Sequence, residues 1–445
     1  MNERMVVDNR RHLRLPITLS MIYMWFGLIW FLIGPIYETK LNYSLIRVLI
    51  FVSMCFVCFG FGYLMRLQKM VGKELEYGPK EKILAFLRVM VYVNLIFTAL
   101  NAYQYSYTTS LSQLWNKAVE ALSDPGGAYF DKISTMQDVS TSNSMLTYIT
   151  VFMGPLLFPT QIMSVYYFKD LKLLPKLSVI ATLLLESLRW LAVGTNKGLL
   201  DIAVLFATVM LIRYMRATIL GRADSKLRKK RKSFAIIAIV SILAFVVVFG
   251  YFLTSRSAAN VNTPGFARFP NYLFPEALRP AVQKISSYLC QGYKSLQHIF
   301  DQLEWIPTWG VGNSSFLISV VKRLTGVDLF LDTYQYRIIA TGLVAEGAFQ
   351  TVFSYLANDL TFPGTVIFMF FVGSFFCSLV KEAVLEEDPI SITLLYMMVL
   401  AILNVSCLNY MLSFSNMCVG FWGLFIVRVV TRQLNIRFTI KRQIA

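Results

Sequence analysis

The stretch LIRVLIFVSMCFVCFGFGYLM, residues 45–65, contains one charged side chain, Arg47, in 21 positions. A helix rises about 1.5 Å per residue, so a run of this length crosses the roughly 30 Å hydrocarbon core of a bilayer. Similar runs recur along the chain, and they are continuously apolar, whereas the strands of a membrane barrel alternate. The sequence therefore predicts an all-α, polytopic integral membrane protein with about ten transmembrane helices, at 15–36, 45–65, 83–103, 146–168, 177–193, 198–215, 234–254, 363–380, 390–411 and 415–431.

The composition agrees with this fold class. Hydrophobic residues make up 56% of the chain and charged residues 15%, which leaves too little polar surface for a soluble protein of this length. The formal net charge is +17, but Lys and Arg cluster in short segments between the apolar runs, such as GRADSKLRKKRK at 221–232. This clustering is typical of the positive-inside rule. We therefore expect membrane lipids, and no nucleic acid, as the partners of these charges.

The basic segments predict that both termini lie in the cytoplasm. The inner segment KEAVLEEDP, 381–389, departs from the pattern because it is acidic, but acidic residues contribute little to orientation. We divide the chain into seven helices with an outward loop at 104–145 (1–254), a large extracytoplasmic loop (255–362), and three helices with a basic tail (363–445).

The large outward loop is the most informative part of the sequence. It is rich in aromatic residues, which predicts an ordered segment, and helices are expected at about 275–301, 313–326 and 333–357. Tyrosine and tryptophan beside Asp, Asn, Gln and Arg supply what a sugar site needs, namely flat apolar faces and polar edges. The residues of this loop that we select as sugar-binding candidates are Tyr288, Gln291, Tyr293, Asn313 and Tyr334.

Placing an ionisable residue inside a membrane span costs free energy, so such residues are candidates for a functional role. Glu186 and Arg189 lie three residues apart in the fifth span, Lys197 follows in the outward turn, and Asp201 lies one turn into the sixth span. One interpretation is an ion network that braces two helices. The other is that Arg189 and Lys197 hold an anionic ligand.

No metal or nucleotide motif occurs in the sequence. Cys/His clusters, H-E-x-x-H and a Walker motif are all missing, so we expect no metal and no cofactor. His298, on a predicted loop helix, is a candidate general base, although a lone histidine is more often merely packed or exposed. Arg256, at the outer end of the seventh span, either binds a phosphate or extends to the membrane interface.

Four short motifs of the large loop resemble a known family. They are Y-L-C-Q-G-Y (288–293), W-G-V-G-N-S (309–314), D-T-Y-Q-Y-R (332–337) and N-D-L-T-F-P-G (358–364). Their order and spacing are similar to those of the Wzy-type oligosaccharide repeat-unit polymerases, bacterial enzymes that make O-antigen or capsule, and the resemblance is best over about 185–375.

The resemblance implies a GT-C-like glycosyltransferase of the bacterial inner membrane. Its substrates would be undecaprenyl-diphosphate-linked oligosaccharides, joined on the outer face of that membrane by metal-independent inverting transfer, and a chain-length regulator would be a further membrane partner. The alternatives are an O-antigen ligase-like glycosyltransferase and a flippase or transporter of lipid-linked oligosaccharide. A transporter would be expected to have smaller extracytoplasmic loops and more polar residues along its spans.

The resemblance also implies roles for residues. By motif position, Arg256 and Arg337 would bind the donor diphosphate, together with Arg189 of the fifth span. Without a metal, positively charged side chains have to stabilise the leaving diphosphate, so Lys197 is a further candidate for diphosphate binding. The catalytic base stays open among Asp332, Glu346, Asp359 and His298.

Overall fold

The computed structural model describes residues 11–34, 43–68, 80–138, 145–219, 250–251, 275, 279–342, 350–406, 412 and 415–433. Every regular element within these residues is a helix. Six of the helices are long and apolar enough to cross a membrane: Arg11–Ile33, Tyr43–Gln68, Lys80–Ser106, Tyr148–Tyr166, Lys197–Ile219 and Val352–Glu386. The described part of the chain is therefore compatible with a multi-pass membrane protein.

We number the α-helices in chain order. They are α1 (Leu15–Ile33), α2 (Tyr43–Gln68), α3 (Lys80–Ser106), α4 (Leu111–Ser123), α5 (Pro125–Asp138), α6 (Met145–Tyr166), α7 (Leu173–Ala192), α8 (Lys197–Ile219), α9 (Arg279–Gln302), α10 (Ser315–Thr325), α11 (Tyr334–Ala340), α12 (Val352–Lys381), α13 (Pro389–Leu403) and α14 (Ser415–Gln433). The predicted spans 177–193 and 415–431 overlap α7 and α14, and α13 covers 390–411 only as far as Leu403. These three helices are shorter or less apolar than the six helices above. Most of the predicted span 234–254 lies outside the described residues.

Helices α2 and α12 pack tightly against each other, and glycine explains the close approach. A Cβ at Gly62 would lie 1.9 Å from the carbonyl oxygen of Phe370, and a Cβ at Gly373 would lie 1.9 Å from that of Phe59. Each glycine therefore lets the backbone of the other helix pass where any side chain would collide. Small residues serve this purpose between membrane helices because lipid supplies no hydrophobic force to hold them together.

Helix α12 connects the large loop to the membrane-spanning part through a kink. It begins at Val352, so it crosses the boundary that we drew between 362 and 363. The helix is kinked at Thr361, whose φ of 63° and ψ of 171° are not helical, and Pro363 follows. Proline lacks the main-chain N–H for a helical hydrogen bond and restricts the residue directly before it, so the kink lies next to a position where the sequence weakens the helix.

The helices of the large loop begin at side chains that cap them. Ser314 accepts a hydrogen bond from the main-chain N–H of Leu317 at the start of α10, and Thr333 accepts one from Tyr336 at the start of α11. Helix α10 ends at Gly326, whose φ is 77°, a left-handed conformation that glycine adopts without steric cost. Helices α9 and α10 correspond to the predictions 275–301 and 313–326. The prediction 333–357 is confirmed only at its start, because α11 ends at Ala340 and the last residues of that range belong to α12.

The acidic segment 381–389 is buried and paired with arginine. Glu382 is 3% exposed. It lies 2.8 Å from Arg428 and 2.5 Å from Arg432 of α14, and it accepts a hydrogen bond from Ser391 of α13 at 2.5 Å. We call these four residues the inner clamp. The clamp joins the ends of α12, α13 and α14.

A second buried pair lies beside the inner clamp. Glu387 lies 3.2 Å from Arg216 of α8 and accepts a hydrogen bond from Tyr166 of α6 at 2.8 Å. Arg216 also donates to the carbonyl oxygen of Val384 at 2.8 Å. A buried carboxylate requires such partners because desolvation of an unpaired charge is costly. The acidic segment therefore connects α6 and α8 to the same end of the helix bundle.

Candidate functional site

The carboxylate of Asp359, two turns after the start of α12, organises the loop that lies over it. Its Oδ1 accepts hydrogen bonds from the hydroxyl of Thr308 (2.6 Å) and from the main-chain N–H groups of Gly310 (2.9 Å) and Gly312 (3.1 Å). Its Oδ2 accepts two more from Asn313, one from the main chain (3.0 Å) and one from the side chain (3.1 Å). Because a carboxylate has about four lone-pair positions, these five donors occupy it fully.

The neighbouring residue, Asn358, joins a third segment to the same place. Its Oδ1 accepts a hydrogen bond from the main-chain N–H of Tyr334 (2.9 Å), and its Nδ2 donates to Gly312 O (2.8 Å) and to Gln335 Oε1 (2.7 Å). The indole of Trp305 donates to the carbonyl oxygen of Asn358 at 2.9 Å. We call the layer formed by residues 305–314, 333–337 and 358–359 the roof. Three of the four loop motifs meet in it.

Two buried polar atoms of the roof have no hydrogen-bond partner among the described residues: Asn313 Oδ1, an acceptor, and Gln335 Nε2, a donor. The neighbours fix both amide orientations. The side-chain nitrogen of Asn313 has to face the carboxylate of Asp359, and Gln335 has to present its oxygen to the Nδ2 of Asn358. Buried polar atoms without partners are rare and point to an absent ligand or water. The interior of the roof therefore contains one unused acceptor and one unused donor.

Backbone strain occurs within the roof, at Trp309, and next to it, at Thr361. Trp309 has a φ of 56° and Thr361 a φ of 63°, in regions that cost non-glycine residues about 1–3 kcal/mol each. Trp309 is also 80% exposed, so its ring face is open to solvent. Strain of this kind persists where the surrounding structure imposes it, and it is concentrated at ligand sites.

The fourth motif, 288–293, lies on α9 and packs below the surface. The Tyr293 side chain is fully buried, and its ring centroid lies 5.5 Å from that of Phe31. Gly292 donates its main-chain N–H to Ser406 O at 3.2 Å. Tyr288 and Gln291 are half-buried on the same helix. The predicted sugar contacts of this motif stay predictions.

Tyr334 is likewise packed inside the protein. Its ring stacks on Phe362 with 5.5 Å between centroids, and burial raises the pKa of its hydroxyl to about 12. A sugar contact by this ring stays a prediction that the packing does not favour. Asn313, by contrast, lies in the roof with an available acceptor. Trp309, which we did not select from the sequence, has the exposed ring face. Its position as the first residue of W-G-V-G-N-S could have identified it as a candidate.

The remaining loop candidates are spread around the roof. Arg337 donates its Nη1 to the carbonyl oxygen of Glu304 at 2.7 Å, which ties it to the segment that enters the roof. Asp332 is half-buried just before α11. His298 lies on α9, where burial and the nearby Lys294 lower its pKa. The predictions for Arg256 and Glu346 fall outside the described residues.

Arg189 and Lys197 form a separate cluster at the α7–α8 turn. Arg189 pairs with Glu186, and Lys197 pairs with Asp201 at 2.8 Å. The ring of Trp190 lies between the two cations, 4.8 Å from Arg189 and 5.4 Å from Lys197. Each cation thus has a carboxylate of its own helix and shares an aromatic face. This arrangement favours the structural interpretation, and the ligand-binding roles of both residues stay predictions.

A cavity of about 590 Å³ lies beneath the roof. Gly310, Asn313 and Asp359 line its outer end, and its other lining residues are apolar. This size and this mixture are typical of ligand sites. In the part of the chain that the structure describes, no group of three or more His, Cys, Asp or Glu side chains is placed to hold a metal ion.

Comparison with known proteins finds no family model, no curated protein and no solved structure that matches the chain.

Proposed function

We propose that this chain is a membrane glycosyltransferase that polymerises undecaprenyl-diphosphate-linked oligosaccharide repeat units into O-antigen or capsular polysaccharide. It would act on the outer face of the bacterial inner membrane, with both termini in the cytoplasm and a GT-C-like arrangement of about ten spans. The roof carries the proposal. Three motifs that resemble the polymerase family, distant in sequence, form one hydrogen-bonded layer at the outer end of a membrane helix.

The chemistry of the roof suits a sugar. A sugar hydroxyl both donates and accepts a hydrogen bond, and the buried Asn313 Oδ1 and Gln335 Nε2 are an acceptor and a donor without partners among the described residues. Asn313, unlike Gln335, lines the cavity beneath the roof. The exposed ring of Trp309 supplies an apolar face on which a pyranose can stack. Neutral amides and an aromatic ring are common in sugar sites, whereas a phosphate would require cations in their place.

In the proposed reaction, a hydroxyl of the incoming repeat unit attacks the anomeric carbon of the growing chain. The new glycosidic C–O bond forms as the bond to the lipid diphosphate breaks, and the hydroxyl proton passes to a base. The diphosphate leaves as an anion, for which Arg337 is the candidate cation tied to the roof. The five donors on Asp359 leave it little capacity as the base. Burial and the nearby Lys294 lower the pKa of His298, which stays a candidate for the base.

The decisive experiment uses purified full-length chain with lipid-linked repeat units extracted from a strain that lacks it. We expect ladders of polymer without added metal or nucleotide. Arg337→Ala should abolish them, whereas Arg323→Ala, which removes an arginine bound to Tyr148 on α6, should not. Transfer to lipid A core would instead show a ligase, and translocation without bond formation a flippase. Ladders that a chelator abolishes would contradict the metal-free mechanism.

A further inference from the structure

Helix α4 is too short to cross a membrane, yet it is apolar over nearly half of its circumference. Its 13 residues correspond to about 20 Å, which is less than the roughly 30 Å of the hydrocarbon core. The start of the helix is capped, because the hydroxyl of Ser110 accepts a hydrogen bond from the main-chain N–H of Gln113. The helix belongs to the segment 104–145, which we expected from the sequence to be a loop outside the membrane.

One face of α4 packs against the ends of two helices that we assign to the membrane. Leu114 is fully buried in one cluster with Ala102 of α3 and Ala192 of α7. The ammonium group of Lys117 donates a hydrogen bond to the carbonyl oxygen of Ser106, the last residue of α3, at 2.8 Å. Helix α4 therefore lies beside the bundle at the level of the last turn of α3, and it does not project into the space beyond that turn.

The length of α3 indicates how deep this level lies in the membrane. Helix α3, Lys80–Ser106, has 27 residues and is about 40 Å long. When α3 is centred in the bilayer, it exceeds the hydrocarbon core by about 5 Å at each end, which corresponds to about three residues. The last turn of α3 then lies at the boundary between hydrocarbon and headgroups, and α4 lies at the same depth.

A second face of α4 is apolar and exposed. Four of its side chains recur at helical spacing and are each between 46% and 56% exposed, namely Leu111, Trp115, Val119 and Leu122. We call these four residues the exposed stripe. Because successive residues of a helix are rotated by about 100°, the stripe lies about a quarter of a turn around the helix from the buried face. The remaining face is polar and exposed, with Gln113, Asn116 and Glu120.

Exposed aromatic residues support the same depth independently of the length of α3. Tyr105, Tyr107, Trp115 and Tyr251 are each between 42% and 56% exposed. The hydroxyl of Tyr251 donates a hydrogen bond to the carbonyl oxygen of Leu122 at 3.2 Å, which places this ring at the end of the exposed stripe. Tyrosine and tryptophan are enriched where a bilayer meets water, because each combines an apolar ring with a polar group.

We propose that α4 lies along the surface of the bilayer and inserts the exposed stripe among the phospholipids of the adjacent leaflet, with its polar face towards the headgroups. A helix with one apolar and one polar face binds a lipid surface in this way, by burying its apolar side chains at the boundary between headgroups and acyl chains. Lys117 and Glu120 are the only charged residues of α4, so its formal net charge is zero. A zwitterionic phospholipid such as phosphatidylcholine is therefore sufficient as the partner.

We compare the accessibility of single thiols in the purified full-length chain, with one copy in each phosphatidylcholine nanodisc. Val119→Cys places a thiol on the exposed stripe, and Asn116→Cys places a matched thiol on the polar face. A membrane-impermeant maleimide should label Asn116→Cys about tenfold faster, because a thiol in apolar surroundings seldom forms the reactive thiolate. Leu122→Cys and Ser123→Cys repeat the comparison at adjacent positions. The unchanged chain measures the background of the native cysteines, and all four variants should react alike after denaturation in dodecyl sulfate.

A lipid-borne quencher identifies what covers the stripe. In nanodiscs of phosphatidylcholine brominated on its acyl chains, the fluorescence of Trp115, measured as the difference between the wild type and Trp115→Phe, should be quenched. Equally fast labelling of Val119→Cys and Asn116→Cys would place the stripe in water and overturn the proposal. Slow labelling of Val119→Cys without quenching of Trp115 would show that protein covers the stripe, and would overturn the assignment to lipid. Neither measurement requires polymer formation, so both results are independent of the proposed reaction.

Discussion

Asn313 donates both its main-chain and its side-chain N–H to one oxygen, Oδ2 of Asp359, at 3.0 and 3.1 Å. A single carboxylate on α12 thereby holds both the backbone and the side chain of a residue 46 positions earlier. It also fixes which atom of the Asn313 amide remains available for a ligand. The stability of the roof and its recognition chemistry consequently depend on the same residue.

Asp359→Asn should loosen the roof. The new amide nitrogen would face N–H or O–H donors where an oxygen now accepts them, and hydrogen bonds to charged groups contribute about 1.5–3 kcal/mol each. We expect the free energy of unfolding to fall by about 2–3 kcal/mol and hydrogen exchange at 308–314 to accelerate. Asp332→Asn, a control near the roof, should leave this exchange unchanged. Unaltered protection in Asp359→Asn would show that the carboxylate does not hold the loop.

Asn313→Ala and Thr308→Val form a matched pair. Each removes one side-chain donor to Asp359, but only the change at Asn313 also removes the available acceptor. If that acceptor binds a substrate hydroxyl, Asn313→Ala should raise KM about tenfold relative to Thr308→Val, since a hydrogen bond contributes about 0.5–1.5 kcal/mol. Equal KM values in the ladder assay would remove Asn313 from the substrate site.

Glu382→Gln should destabilise the helix bundle strongly. The change removes the counter-charge of the buried Arg428, and breaking a buried pair in this way costs about 3–5 kcal/mol. The exposed pair of Lys80 and Asp170 offers the comparison, because surface pairs contribute about 0.2–1 kcal/mol. Thermal unfolding of Glu382→Gln and Asp170→Asn in the same detergent measures both. Similar melting temperatures would mean that the inner clamp is not a stabilising element.

His298 should make stability depend on pH. Burial lowers its folded-state pKa below the ordinary value near 6.5, so the unfolded chain binds a proton more readily than the folded chain. Its contribution to stability is therefore present above about pH 6.5 and is lost as the pH falls through the folded-state pKa. We expect the melting temperature to drop between pH 7.5 and 5.5, and His298→Gln to reduce the drop. An identical pH profile in the variant would assign the effect to other groups.

The sequence predicted the helices better than the contacts between them. Long apolar runs identified membrane helices because hydropathy is a local property, and the capping residues Ser314 and Thr333 lie at the starts of loop helices that we expected near 313 and 333. It also marked Asn313 and Asp359 as separate candidates. That Asp359 holds Asn313 could not be predicted, since pairing across 46 residues depends on the folded path of the chain. Similarly, the aromatic count did not distinguish the buried Tyr293 from the exposed Trp309.

The acidic segment at the end of α12 alters the charge that this end of the bundle offers to its surroundings. Glu382 and Glu387 pair with three arginines, Arg216, Arg428 and Arg432. The charges of these arginines are therefore already balanced within the protein and attract an anionic lipid headgroup only weakly. Attraction to an anionic leaflet has to come from other basic stretches, such as GRADSKLRKKRK. Glu382 and Glu387 are thus neutralised within the bundle, so the stretch that departs from the positive-inside pattern adds little net negative charge to this end of it.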